Sequence, residues 1–100
     1  MIIGFSQYNT STHPYDSKYR FYLNTYGSAN YLKMYLNNYT VLNTYNNPQV
    51  GDTIILERIG SVVYYRVHQV NGAQVLYATA SANPSEVLYV DVNSPYVPSV

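Results

Sequence analysis

The groups able to do covalent chemistry in this 100-residue chain are few and scattered. Its two histidines, His13 and His68, lie far apart, with no carboxylate at metal-ligand spacing beside either. Asp16 shares a loop with His13, but one His-x-x-Asp pair is too sparse to hold a metal. There is no cysteine, hence no disulfide framework, no thiolate nucleophile and no Cys-ligated metal. Glycoside hydrolysis needs two carboxylates roughly 5–9.5 Å apart across a cleft. The two glutamates, Glu57 and Glu86, fall on different segments. No Gly-rich phosphate loop, nucleophile elbow or zinc motif is present. Asp52, directly after Gly51, has the position of an aspartate that bonds backbone groups of its own turn. The sequence therefore predicts a protein that is not an enzyme and takes neither metal nor cofactor.

Recognition chemistry is better represented. The chain has 14 tyrosines and no tryptophan, and asparagine is abundant. Tyrosine joins apolar area to a hydrogen-bonding tip at low side-chain entropy cost, which suits adaptable polar recognition. Sugars bind where an aromatic ring takes their C–H face and amides or Arg take their hydroxyls. Tyr22, Tyr35, Tyr64 and Arg66 are predicted to project from one polar-aromatic face. The loops Tyr45-Asn46-Asn47 and Asn37-Asn38-Tyr39 add amide donors and acceptors. The candidate ligand-binding residues are thus Tyr22, Tyr35, Tyr64, Arg66, Tyr45, Asn46 and Asn47. The competing explanation is that tyrosine is frequent because it favours strands. On that view the face is solvated β-surface, or it packs on a neighbouring subunit.

Charge is sparse and balanced, five Lys plus Arg against five Asp plus Glu. Electrostatic binding to nucleic acid or an anionic membrane needs a clustered basic surface, so neither is expected as a partner. No run approaches the ~18 continuous apolar residues of a transmembrane helix. The start, MIIGFSQYN, lacks the basic residues and apolar run of a signal peptide. The expectations are export by another route, assembly in the cytoplasm as a virion part, or a natural start other than Met1.

Strands must position these side chains. The clearest stretch is 51–77, which reads as an antiparallel meander. Residues 53–59 (TIILERI) and 62–70 (VVYYRVHQV) are rich in β-branched residues and separated by Gly60-Ser61. Asn71-Gly72, the dipeptide suited to the two positive φ angles of a type I′ turn, leads into 73–79 (AQVLYAT). Further strands are predicted at 2–6 (IIGFS), 18–25 (KYRFYLNT), 31–36 (YLKMYL), 39–44 (YTVLNT) and 87–92 (VLYVDV). A helix over 28–37 is rejected, because strand alternation fits every position and Asn37-Asn38 then makes a hairpin turn. Loops are expected at 7–17, 26–30, 45–50 and 80–85, and residues 93–100 form an extended tail whose two prolines bar regular central pairing.

Alternation assigns the faces. Ile54, Leu56, Val63, Tyr65, Val67, Leu76, Leu88 and Val90 form one set, and Phe21, Leu23, Leu32 and Met34 join them as the predicted core. Arg20, Tyr22, Lys33, Tyr35, Glu57, Arg66 and His68 fall on the opposite, wet side, as antiparallel sheets allow.

The order of four pieces resembles the concanavalin A-like sandwich, the lectin/glucanase and laminin G-like modules of bacterial surface proteins and phage fibres. GFS at 4–6 is followed by YRFYLN at 19–24; then come TYNNPQVGDTIILER at 44–58 and SVVYYRV at 61–67; last come NGAQVLYAT at 71–79 and LYVDV at 88–92. The likeness covers most of residues 2–92. Two departures stand out. The hairpin arm at 66–70 is longer than in that pattern, which leaves room for a bulge. The family sandwich is also longer, so this chain corresponds to its C-terminal two-thirds: a fragment, a compact variant, or a piece whose missing strands come from another chain. The two close glutamates of the glucanase branch have no counterpart here, and the acids are too few for the calcium sites of some laminin G-like relatives.

The expected architecture is all-β, one antiparallel β-sandwich domain over 1–100, jelly-roll-like and concanavalin A-like, partial or compact. The resemblance implies a non-enzymatic adhesion or receptor-binding module that recognises a surface glycan or host receptor. Its place would be the extracellular surface or a virion, as a homo-oligomer or part of a larger assembly. The alternative is a structural virion or filament subunit with no ligand of its own.

Overall fold

Residues that alternate in polarity form strands wherever the chain is described. The computed structural model describes residues 2–6, 17–24, 30–37 and 39–93. Within them lie β1 (Ile2–Ser6), β2 (Ser17–Asn24), β3 (Tyr31–Leu36), β4 (Thr40–Asn46), β5 (Thr53–Ile59), β6 (Val62–His68), β7 (Gln74–Ser81) and β8 (Tyr89–Asn93). Nearly all of the loop expected over 7–17, most of the turn at 26–30 and the tail after Asn93 lie outside the described residues. So do His13, Asp16 and Asn38. The rejected helix over 28–37 is strand β3 in its described part.

The strands make two antiparallel sheets, ordered β4-β3-β2-β1-β8 and β5-β6-β7, and the chain is the β-sandwich expected. Its strand order is simpler than that of a jelly roll. Each sheet is a meander of consecutive strands, and β8 alone returns to lie beside β1.

Turn chemistry follows the residues available. Gly60, at φ 59°, takes the first central position of the two-residue turn between Ile59 and Val62, the type II′ arrangement. Asn71-Gly72 departs from the expected type I′ turn. The Gly72 N–H donates to the Gln69 carbonyl (2.9 Å) and the Gln69 N–H to the Ala73 carbonyl (2.6 Å), so the loop has three residues, Val70-Asn71-Gly72. Val70 is drawn into the loop because its N–H donates to the Asp52 carboxylate (2.8 Å). One left-handed position then remains, and Gly72 fills it at φ 99°.

The core lies where the inner faces meet. Tyr19, Phe21, Leu32 and Met34 of the five-stranded sheet pack against Val63, Tyr65, Val67 and Ala80 of the other. Leu23, Ile54, Leu56 and Leu88 are half-buried against this cluster. Phe21 and Tyr65 meet edge to face, centroids 5.5 Å apart, a contact worth about 0.5–1.5 kcal/mol beyond its burial. Two tyrosines carry a hydrogen bond across the core in opposite directions. The Tyr65 hydroxyl donates to the Tyr35 carbonyl of β3 (2.7 Å), and the Tyr19 hydroxyl to the Ser81 carbonyl of β7 (2.9 Å). Strand β7 crosses the opposing sheet diagonally: its Tyr77 stacks on Tyr45 of β4, and its far end meets Tyr19 of β2.

Three facing predictions are corrected. Leu76 is half exposed, because the register of β6 with β7 shifts between Tyr65 and Arg66 and sets Leu76 opposite outward Arg66. The bulge lies not in the 66–70 arm, where one was expected, but on β7, whose extra residue is Tyr77; it turns Val75, Ala78 and Ala80 inward instead, opposite Val67, Tyr65 and Val63. Val90 does sit opposite inward Phe5, yet it is 75% exposed. At roughly 4.8 Å per strand, a three-stranded sheet is about 10 Å wide and cannot cover the inner face of a five-stranded one about 19 Å wide. Arg20, predicted on the wet face, is 1% exposed. Its guanidinium lies over the Tyr35 ring (4.5 Å) and Nη1 donates to the Asn37 carbonyl. Ile2 and Ser6, on the same outer side, are buried as well.

The cross-core bonds generate a test. Tyr65→Phe keeps the ring and leaves the Tyr35 carbonyl without its donor, so it is expected to lower stability by about 1–3 kcal/mol. Urea unfolding is expected to show a lower midpoint at unchanged slope.

Candidate functional site

The outer face of the five-stranded sheet is built by register. Across β2, β3 and β4, Asn24, Tyr31 and Asn46 lie in one row, Tyr22, Lys33 and Thr44 in the next, and Arg20, Tyr35 and Val41 in the third. Directly opposed residues share a face of the sheet, so these nine positions form a grid with Lys33 at its centre. The grid measures about 14 Å along the strands and about 10 Å across them. On the β1 side it is closed, since Ile2, Ser6 and Arg20 are buried; over β3 and β4 its side chains are half-buried or exposed.

The tyrosines on this face are held in place by their neighbours. Tyr22 and Tyr35 meet edge to face, centroids 6.4 Å apart at 87°. Buried Arg20 supports the Tyr35 ring from beside it. The Lys33 ammonium rests 4.7 Å from the centre of the Tyr31 ring, a cation–π contact. The strands β2, β3 and β4 contain no Asp or Glu. The arrangement thus offers ring faces and edges, one central ammonium, the hydroxyls of Thr44 and the tyrosines, and the amides of Asn24 and Asn46. It can stack against and hydrogen-bond a polar ligand.

The predicted site residues divide into three groups. Tyr22, Tyr35 and Asn46 come together on this grid. Tyr64 and Arg66 project from the outer face of the three-stranded sheet, on the far side of the molecule. The single polar-aromatic face is therefore corrected to two, because alternation says that a residue points outward but not from which sheet. Arg66 lies over the Tyr64 ring (4.4 Å) and pairs with Glu57 (2.9 Å), so its charge is already matched. His68 is exposed on that same face.

Tyr45 and Asn47 belong to a structural cluster. Tyr45 lies opposite inward Leu32, stacks on Tyr77 (5.3 Å, 25°) and donates its hydroxyl to Asp52 Oδ2 (2.7 Å). Its ring and hydroxyl are thus both engaged within the fold. Asp52 bonds backbone as expected, also accepting the Gln49 N–H (2.9 Å) and the Val70 N–H (2.8 Å). One carboxylate so ties the crossover between the sheets to the β6–β7 loop. The Gln49 N–H, then the Tyr45 hydroxyl and the Val70 N–H, hold the Asp52 carboxyl below its ordinary range. The same bond, with desolvation, pushes Tyr45 up to about 12. Asn47 sits at φ 57° with its carbonyl accepting from Gln49 Nε2 (2.9 Å), a turn role.

Sequence reasoning leaves out Tyr31, Lys33 and Thr44. The Tyr-x-Lys-x-Tyr alternation of β3 is the signal that points to the first two; Thr44 becomes visible only with the register of β4. Among the described residues no three of His, Cys, Asp and Glu gather as a metal site would require. Comparison with protein-family models, with curated proteins and with solved structures finds no match.

The Asp52 cluster makes a prediction with a definite sign. A carboxyl whose folded pKa is depressed adds stability above its unfolded value and loses it as pH falls through the folded one. The melting temperature of the native chain should exceed that of Asp52→Asn at about pH 6, and the gap should close towards about pH 2. Parallel thermal melts of the two proteins across that range check it.

Proposed function

We propose that this chain is a non-enzymatic adhesion or receptor-binding module that recognises carbohydrate through the outer face of its five-stranded sheet. The observation that carries the reading is the Tyr22–Tyr35 pair, fixed edge to face on a half-exposed surface with Lys33, Thr44 and Asn46 around it. Ring faces and edges held without rotamer freedom lose little entropy on binding, and amide, hydroxyl and ammonium groups take sugar hydroxyls. Placement on a phage fibre or bacterial surface protein, outside the cell or on a virion, rests on the sequence resemblance alone.

A second reading, a structural virion or filament subunit, is favoured by one observation. Among the described residues β8 pairs with β1 only, and its inward Val90 together with nearby Val87 is largely exposed. An open strand edge beside apolar surface invites another chain.

A glycan array with the native chain, Tyr22→Ala and Tyr35→Ala tests the first reading. Binding is expected for the native chain and a loss of about tenfold or more in either variant, with unchanged circular dichroism. Light scattering over a concentration series tests the second: a monomer persisting at micromolar concentration, together with glycan binding, would sink it.

A further inference from the structure

Resting on that carbohydrate reading, we infer that the ligand is an acidic sugar, whose carboxylate or sulfate sits on Lys33. The inference comes from where charge lies in the sandwich. Of the five Lys and Arg residues, Arg66 is paired with Glu57, Arg58 donates to the Glu86 carbonyl, and Lys18 lies at the start of β2, outside the grid, with its ammonium 5.5 Å from the centre of the Tyr19 ring. Arg20 is buried under Tyr35. Lys33 is the cation at the centre of the open grid, and no acid stands in its own strand or in either strand beside it.

Tyr31 and Tyr35 lie along the strand on either side of Lys33, and Tyr22 lies directly across from it. The Tyr31 ring, 4.7 Å from the ammonium, displaces water on that side, which strengthens its attraction for an anion compared with a fully solvated lysine. An ammonium against one tyrosine ring, with two more tyrosines at neighbouring positions, matches a ligand that joins an anionic group to apolar C–H faces, as uronic, sialic and sulfated sugars do. A grid of about 14 Å by 10 Å holds a short oligosaccharide. A neutral sugar would gain from the rings but leave the central charge unmatched.

The test uses matched probes on the whole chain: sialyllactose against lactose, and oligogalacturonate against its methyl ester. Titration calorimetry of the native protein should show the acidic member of at least one pair binding about tenfold tighter or more. That preference should shrink as salt rises from about 50 to about 500 mM, disappear in Lys33→Met and persist in Lys33→Arg. Equal binding within both pairs, or a preference unchanged in Lys33→Met, overturns the acidic ligand and leaves carbohydrate recognition standing. Absence of binding to all four probes and to a glycan array removes both. Should Lys33→Met fail to fold, the salt dependence of the native preference decides alone, since a salt-insensitive preference refutes a role for the ammonium.

Discussion

The hydrogen bond from the Tyr65 hydroxyl to the Tyr35 carbonyl joins the inside of this sandwich to its outside. A hydroxyl buried among aliphatic side chains must find an acceptor or cost several kcal/mol, and a regular sheet spends its carbonyls on its own ladder. The register of β3 with β4 shifts between Met34 and Tyr35, at the residue whose carbonyl accepts this bond. The irregular pairing and the buried hydroxyl thus answer each other. Burial raises the Tyr65 pKa well above the ordinary tyrosine value, so the group stays a donor at any pH the fold meets. The residue whose backbone is pinned from within is also the one whose ring stands beside Tyr22 on the outer grid. Rigidity of the outer face is therefore set by the core.

The two sheets need more than this to stay in register, because they cross diagonally. The short link from β4 to β5 has to carry the chain from one layer to the other. Asp52 closes that link by accepting from Gln49, Val70 and Tyr45. Gly51 allows the approach: at φ 98°, with an added Cβ 2.8 Å from Val70 Cγ2, the position excludes any larger residue without movement of the loop. At the opposite border the design is looser. Five strands face three, and Val90 projects from a strip of inner face that the smaller sheet does not reach. A chain could anchor one border tightly and leave the other for contact with a partner.

What was legible in the sequence follows from the range of the interactions involved. Strand existence is local, and β5 begins and ends where its β-branched run does. Inward facing is local too wherever pairing is regular, as Val63, Tyr65 and Val67 show. It fails one residue past a bulge, which is why Leu76 points out, and at a sheet border, which is why Val90 is exposed. The Asn71-Gly72 turn differs because Val70 is captured by Asp52, 18 positions away in sequence, a contact that no turn rule contains. The grouping of four outward residues on one face differs for a similar reason. Tyr22, Tyr35, Tyr64 and Arg66 all point outward as expected, but membership of one sheet or the other depends on pairings between distant segments.

That separation gives the two exteriors different chemistry from nearly the same residues. Each has tyrosine beside a basic group. On the three-stranded sheet the base is Arg66, already stacked on Tyr64 and bonded to Glu57, so an incoming anion would have to compete with a carboxylate fixed 2.9 Å away. Exposed pairs of this kind contribute little to stability, roughly 0–1 kcal/mol, but they do neutralise the surface they occupy. On the five-stranded sheet Lys33 has tyrosines and a threonine as its cross-strand and along-strand neighbours, and neither its own strand nor the two beside it contain an acid. The face that carries Lys33 is also the one whose rings are held from inside by Tyr65 and from beside by Arg20. Electrostatics and rigidity converge on the same surface.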